Sequence, residues 1–299
     1  MSRAAFIERP TCDVCGCPDR VPVVSKPFLD PTVWTFLDTY YEGRIPAEAL
    51  EGAQYEISRC TRCGFLWQRW VLDDQWLGVL YEQWITPESS HASRRSASSD
   101  LYAGYARDML LLSKLIGKKP ADIAVLDFGM GWGTWSLMAK AFGYQSFGHE
   151  ISPERITFAR EQGIAVLKTL ENIPNRFDVI VSEQCFEHIP RPREALGKLA
   201  GLLLPGGILR ISVPDARRSV GNLSNPNWTA AKDAFHPLEH VNAFTHQTLL
   251  QFGRGAGLTP IGWPLFPMVA TNPVMLLRSC VAPLWHRFRS THVLFRKLG

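Results

Sequence analysis

Before its C-terminal region the chain has no stretch of about 18 uncharged apolar residues, which leaves no clear membrane span there. Its opening residues, MSRAAFIERP, lack the apolar core of a signal peptide, so the expected location is cytoplasmic, where thiols stay reduced. The seven cysteines are an odd number and an awkward disulfide framework, and they suit metal binding better. A collagen-like or wholly disordered chain is excluded by 46% hydrophobic, 20% charged and 11% aromatic residues. At roughly 150 residues per domain, 299 residues mean one large domain or two modest ones. A further absence is local: after His240 there is no Asp or Glu, but there are six basic residues, Arg254, Arg278, Arg287, Arg289, Arg296 and Lys297. The remainder holds 26 basic and 28 acidic residues, so the net charge of +4 resides in the tail. Such a tail can attract a phosphate-bearing substrate, an anionic membrane surface or nucleic acid. A solvated basic end is the plainer reading.

Four of the cysteines form two matched pairs, Cys12-x-x-Cys15 and Cys60-x-x-Cys63, each followed by a glycine, Gly16 or Gly64. Two residues between thiolates let both sulfurs face one ion, and the glycine relieves the tight turn. Two such knuckles supply a tetrahedron of soft ligands, which fits structural Zn²⁺ with no open catalytic position. The 44 residues between Cys15 and Cys60 are a long insertion, and Cys17 is a competitor with poorer spacing. A redox role is the alternative, weakened by the presence of two matched pairs. Residues 65–86 are aromatic-rich (Phe65, Trp67, Trp70, Trp76, Tyr81, Trp84). Such a face can stack on sugars or bases, but packing of a small core is the preferred reading.

The run PESSHASRRSASSD, from Pro87 to Asp100, reads as a linker. Leu101 to Ile116 has helical apolar spacing and stops at Gly117 before Lys118-Lys119-Pro120. Strands and helices then alternate. Strands are expected at Ile123–Phe128, Gln145–Glu150, Ile164–Leu167, Phe177–Ser182, Ile208–Val213 and from Leu258 to Gly262. Helices are expected at Pro153–Gln162, Arg193–Leu204 (ending at Pro205-Gly206-Gly207) and Thr245–Gly255, with Thr245 as N-cap. Repeated βα units imply a parallel sheet covered by helices on both faces.

The informative segment is VLDFGMGWGT, residues 125–134, which sets D-x-G-x-G-x-G between a buried strand and a helix. Ligands of open α/β sheets bind outside such strand ends, and glycines let them approach the backbone. A dinucleotide fingerprint, started at Gly129, fails because Thr134 takes the third glycine position. Asp127 at the lip would repel a pyrophosphate but can face an ammonium group. Glu150, 21 residues after Gly129, ends the second strand, where a carboxylate can bind both ribose hydroxyls.

On LDFGMGWG, Glu150, FDVIVSEQCFEHIPRP and LLLPGGILRISVP, taken in that order, residues 120–262 resemble the class I S-adenosylmethionine-dependent methyltransferases. The knuckles CDVCG and CTRCG are similar to those of a subgroup with an N-terminal zinc-binding domain, which includes sugar C-methyltransferases acting on nucleotide-linked deoxysugars. The resemblance implies an α/β, Rossmann-like doubly wound sheet preceded by a small zinc-knuckle domain. It implies a zinc-binding domain over 1–86, a linker and helix over 87–119, a methyltransferase domain over 120–265 and a basic apolar extension over 266–299. It also implies S-adenosylmethionine as cofactor, with Asp127, Gly129 and Gly131 holding its methionine part, and Gly133 letting the helix approach. Glu150 would hold the ribose, Leu170 and Glu171 would cup the adenine, and Glu183 and Gln184 would face the methionine or the substrate. Trp132 departs from the family, which usually has a smaller residue there.

A sulfonium methyl is already activated, so alignment is the main task, and a base is needed only where the acceptor must lose a proton. Two Glu-His pairs are candidates. Glu187-His188 follows the fourth strand, where the family commonly carries EH, and some quinone-biosynthetic relatives bind a metal nearby. Glu239-His240, in FHPLEHVNAFT, is similar to the acid/base pair of sugar C-methyltransferases, although His236 is displaced by Pro237-Leu238. His240 is the expected base, because imidazole titrates near neutrality, and Glu239 the group that orients it. The bland alternative is that His240 anchors its loop. The expected substrate is a small molecule such as a sugar nucleotide. Sparse basic residues outside the tail argue against an RNA- or protein-modifying enzyme, and the complete glycine turn argues against a non-catalytic module. Val274–Phe288, interrupted by Pro283, is expected to dock on the core, with peripheral membrane contact as the alternative.

Overall fold

The computed structural model describes residues 3–85, 98–171, 173, 177–262 and 290–299. In chain order its principal elements are β1 (Phe6–Glu8), β2 (Arg20–Pro27), α1 (Pro31–Tyr40), β3 (Gln54–Cys60), β4 (Leu66–Gln68), β5 (Trp70–Leu72) and α2 (Asp74–Val79). Then come α3 (Ser99–Ile116), β6 (Ala124–Phe128), α4 (Thr134–Ala141), β7 (Gln145–His149), α5 (Pro153–Glu161), β8 (Ala165–Leu167) and β9 (Phe177–Glu183). The remainder is α6 (Pro192–Leu202), β10 (Leu203–Pro214), β11 (Asn242–Ala243), α7 (His246–Gly255), β12 (Leu258–Ile261) and β13 (Ser290–Lys297). Two compact units result. One gathers 1–93, 187–192 and 214–252, and the other 94–186, 193–213 and 253–299.

The second unit is built on a seven-stranded sheet ordered β12-β13-β10-β9-β6-β7-β8. Pairs β7–β8, β6–β7, β6–β9 and β9–β10 are parallel. Val125, Leu126, Val179, Ile180 and Val181 are fully buried, as continuous apolar strands require when both faces are covered. The sheet is mixed rather than all parallel, because β13 pairs antiparallel with β12. The helix boundaries follow local chemistry. Ser98 caps α3, which stops at left-handed Gly117, and Ser152 caps α5 with Pro153 in its first turn. Pro205-Gly206-Gly207, expected to end a helix, lies inside β10 instead and produces a register shift between Leu203 and Ile208. A side chain at Gly207 would come within 2.8 Å of the Leu204 carbonyl, so the bulge requires glycine.

In the first unit an antiparallel sheet, β11-β4-β3-β2, accompanies the pair β1–β5. The insertion between the cysteine pairs supplies most of its core: Phe28, Val33, Leu37, Tyr41, Leu50, Tyr55 and Ile57. Ala216, Leu223, Phe235, Leu238 and Ala243 close the same cluster. A domain cut at residue 86 therefore differs from the observed grouping, because the apolar side chains of 214–252 complete this core. The aromatic run packs: Phe65, Trp67 and Trp84 are buried, and Trp67 stacks on Phe65.

Most of the linker and all of Val274–Phe288 lie outside the described residues. Of the basic tail, Arg296 donates to the carbonyls of Gly206 and Leu115, and Lys297 to those of Gly201 and Leu203. No helix among the described residues is long and apolar enough to cross a membrane.

Candidate functional site

In the second unit the chain runs β6→β7→β8 to one side and places β9 and β10 on the other, which makes the β6/β9 ends a topological switch point. The glycine turn lies there. Gly129, Gly131 and Gly133 have φ of 71°, 54° and 73°, in the left-handed region that favours glycine. A Cβ at Gly129 would lie 2.4 Å from Cys185 Sγ, and one at Gly133 2.6 Å from Ile164 Cδ1. A Cβ at Gly131 would meet nothing within 4 Å, so this glycine borders open space. Glu150 Oε2 accepts from Gly131 N at 2.9 Å, and Oε1 accepts from the amides of Ile151 (2.8 Å) and Ser152 (3.0 Å). A carboxylate has about four acceptor positions, so these bonds leave about one for a hydroxyl.

Asp127, at the end of β6, is buried and accepts from Ser136 Oγ at 2.8 Å. Burial pushes its carboxyl up to about 7, Ser136 opposing and Glu183 adding to the rise. Glu183 accepts from Tyr105 Oη (3.2 Å) and Arg210 Nη1 (3.0 Å), and Arg210 Nη2 also pairs with Asp108 Oδ2 at 3.0 Å. Gln184 turns at φ 49° and donates its amide to Ser212 O. Leu170 is half-buried, whereas Glu171 is exposed, pairs through its carboxylate with Lys198 at 3.4 Å and donates its backbone amide to Thr169 Oγ1 at 3.1 Å.

The first unit assembles a histidine cluster. The ring centroids of His188 and His240 are 4.9 Å apart, and those of His236 and His240 5.4 Å. His240 Nδ1 is 2.5 Å from Asp233 O. A carbonyl only accepts, so Nδ1 carries the proton and Nε2 keeps its lone pair. Burial lowers the His240 pKa against the pull of Asp233, and lowers that of His236 further, with His240, His188 and Lys232 adding to the effect. Glu239 faces elsewhere. Its Oε1 accepts from Tyr41 Oη at 2.7 Å and lies 3.5 Å from His236 Nε2, and burial raises its carboxyl. One ligand atom from each of Glu187, His188 and His240 lies within 4.8 Å of the others, a set able to hold a divalent cation.

The same unit brings Cys12, Cys15, Cys60 and Cys63 together, their sulfurs all within 4.8 Å. Cys12–Cys63 and Cys15–Cys60 are each 3.5 Å apart. Thiolates at roughly 2.3 Å around a tetrahedral ion stand about 3.8 Å from one another, so the spacing fits. Gly16 N donates to Cys12 O and Gly64 N to Cys60 O, closing both knuckle turns. Burial raises the Cys12 thiol far above its ordinary value and pushes Cys63 up to about 12. A cation between them would convert both to thiolates at neutral pH. Cys17 lies apart, its sulfur near Asp19.

Residues 101–261, more than half of the chain, match the family model described as a methyltransferase domain. The chain belongs to the class I S-adenosylmethionine-dependent methyltransferases. This methyltransferase is 32% identical over 103 residues to a ubiquinone biosynthesis O-methyltransferase of Xanthomonas euvesicatoria, covering 31% of the chain and 43% of that protein. With the protein of the same name from Proteus mirabilis it is 35% identical over 104 residues, covering 31% and 40%. It thus spans about two fifths of these relatives' length. The solved Burkholderia thailandensis 1,6-didemethyltoxoflavin-N1-methyltransferase, with bound 1,6-didemethyltoxoflavin and S-adenosylhomocysteine, aligns at TM-score 0.50 and 19% identity. That alignment covers 83% of this chain and 98% of the other, and is a likeness of fold.

Three residues beside the candidate cofactor site escaped the sequence reading: Tyr105 and Arg210, which bond Glu183, and Asp108, which pairs with Arg210. A signal existed. Asp108 stands three residues from Tyr105 on the apolar face of α3, and Arg210 interrupts the apolar run Ile208–Val213. Buried charges in such settings need partners.

Proposed function

We propose that the protein transfers a methyl group to a hydroxyl oxygen of a small molecule, with His240 as the base. The observation that carries the proposal is the His240 ring: Nδ1–H is fixed on Asp233 O, and burial keeps the imidazole neutral. Bound S-adenosylmethionine supplies a methyl on a positively charged sulfur. Asp127 and Glu183 would hold the ammonium end through charge, and Glu150 would take a ribose hydroxyl while keeping its backbone amides. His240 Nε2 would accept the acceptor's proton as the oxygen–methyl bond forms and the sulfur–methyl bond breaks, its electron pair staying on the sulfur, which leaves as a neutral thioether. Cys12, Cys15, Cys60 and Cys63 would hold a structural Zn²⁺, four thiolates leaving no ligand position open.

The oxygen acceptor draws on the relatives named O-methyltransferases. The nucleotide-linked sugar implied by the sequence resemblance would use the same base on a carbon acid. The Glu187–His188–His240 set supports a second reading, in which a divalent cation there polarises the hydroxyl and His240 is its ligand. Cofactor titration by calorimetry, followed by product mass with a panel of phenols, enols and sugar nucleotides, tests the proposal. Cofactor binding with O-methylated product supports it. Absence of cofactor binding overturns it, and a carbon-methylated product moves it to the sugar reading. Loss of turnover in chelator, restored by Mg²⁺ with zinc content constant, favours the second reading.

A further inference from the structure

We propose that Arg9 is a positioning residue that ties the first cysteine knuckle to the segment bearing His236 and His240. The inference rests on the reading of His240 given above, but its geometry is independent of that reading. Arg9 is buried, and its guanidinium reaches four groups. Nη2 donates to Asp13 Oδ2 at 2.7 Å, inside the Cys12–Cys15 knuckle, and to Asn242 Oδ1 at 2.6 Å. Nη1 donates to Val241 O at 2.9 Å and to Gln68 O at 3.4 Å. The Arg9 carbonyl accepts from Trp67 Nε1.

The partners of Arg9 lead directly to the histidines. Asn242 Nδ2 donates to Ile189 O at 2.7 Å, one residue past His188. Gln68 Nε2 donates to the carbonyls of His236 (3.0 Å) and His240 (3.1 Å), and Gln68 N to Val241 O. Gln68 ends β4, which begins three residues after Cys63 and pairs with β11, two residues after His240. Both knuckles therefore connect to the histidine segment, the second through the sheet and the first through Arg9. A planar guanidinium can span Asp13, Asn242 and Val241 together, whereas an ammonium is a point charge. The buried charge is matched by Asp13, so the knuckle's fold supplies the anion that holds Arg9 in place. The zinc domain thus acts as the foundation of the histidine cluster.

The test uses the full-length zinc protein with Arg9→Met, Arg9→Lys and Asp13→Asn. Bound zinc and the thiolate-to-metal absorption of the Co²⁺-substituted protein should match the parent, because no ligand is altered. S-adenosylmethionine affinity should be unchanged. Hydrogen exchange over residues 236–243 should accelerate about tenfold or more in Arg9→Met, and kcat should fall about tenfold at constant cofactor KM. Arg9→Lys should recover only part of both. Stripping zinc from the parent with a chelator should accelerate the same segment, and should add little in Arg9→Met, where the tie is already cut. Should Arg9→Met fail to fold, Asp13→Asn, which keeps the guanidinium and removes only its counter-charge, carries the same comparison. Parent-like exchange over 236–243 in the folded variants overturns the proposal. Faster exchange together with a fully active His240→Ala would keep Arg9 in this role while removing His240 from the chemistry.

Discussion

The two compact units treat charge in opposite ways. In the second, Asp108, Asp127 and Glu183 interact around one arginine, Arg210, so three carboxylates face a single buried guanidinium. In the first, His236 and His240 sit ring against ring, and burial drives both toward the neutral form. A buried surplus of carboxylate is a receptacle for a cation, and here it adjoins the glycine turn. Neutral imidazole with one nitrogen pinned is a receptacle for a proton. The methyl transfer proposed above would call for both, one for the donor's charge and one for the acceptor's proton.

The comparison breaks most severely at the cysteines. Metal binding by such sets provides about 10–16 kcal/mol of apparent folding energy in small zinc domains, as much as a whole domain's net stability. Cys60→Ser should release the metal and melt the first unit, seen as lost zinc and a low-temperature calorimetric transition, while the second unit still binds S-adenosylmethionine. His240→Ala comes next. It should lower kcat by about 10²–10⁴ and leave cofactor affinity unchanged, because the groups proposed to hold the cofactor belong to the other unit. Full activity in the folded variant would move the base elsewhere.

Glu150→Ala acts on the opposite unit with a smaller effect. A hydrogen bond to a charged group contributes about 1.5–3 kcal/mol, so cofactor binding should weaken about tenfold or more per bond lost. The loss also frees the amides of Gly131, Ile151 and Ser152. Calorimetric affinity equal to the parent's would remove Glu150 from the site.

Asp127 makes the same unit sensitive to pH. Its carboxyl, held at about 7 by burial, is protonated below that value without ligand and ionised above it. A cationic ligand favours the ionised form, so affinity should fall up to about tenfold per pH unit below 7 and level off above. The stability effect has the reverse sign. A carboxyl raised in the folded state stabilises below the ordinary carboxylate range, and that contribution disappears as pH rises through about 7. The melting temperature of the free protein should therefore drop between pH 5 and 8, while the thermal shift given by cofactor grows. Asp127→Asn should flatten both slopes.

The contrast between the units also explains what could be read from the chain. α3, α5, β6 and the glycine turn depend on neighbours within a few residues, and the sequence spells them out. The four cysteines are legible because their identical spacing is local, and the structure brings the four sulfurs within 4.8 Å of one another. The histidine cluster draws on separated segments: Tyr41 reaches Glu239 across 198 positions, and Arg9 reaches Asn242 across 233. Nothing local marks such partners. For the same reason 214–252 read as part of the methyltransferase sheet, although Phe235 and Leu238 complete the core of the other unit. The pinned tautomer of His240 was also invisible, since it depends on a backbone carbonyl seven residues away.

The smallest expected effect concerns Glu239, and it decides how the proton site is organised. Were this carboxylate the group that orients His240, Glu239→Gln would cost nearly as much as losing the base. In the structure Asp233 O orients His240, while Glu239 accepts from Tyr41 at 2.7 Å and faces His236. A glutamine amide oxygen can keep the Tyr41 bond, and burial already raises the Glu239 carboxyl, so its charge is costly to retain. Glu239→Gln should change kcat by no more than a few fold. Tyr41→Phe leaves the carboxylate without its donor and should lower thermal stability more than it lowers turnover. A drop of a hundredfold or more in Glu239→Gln, with folding intact, would return the orienting role to Glu239 and make the Asp233 contact a feature of the loop alone.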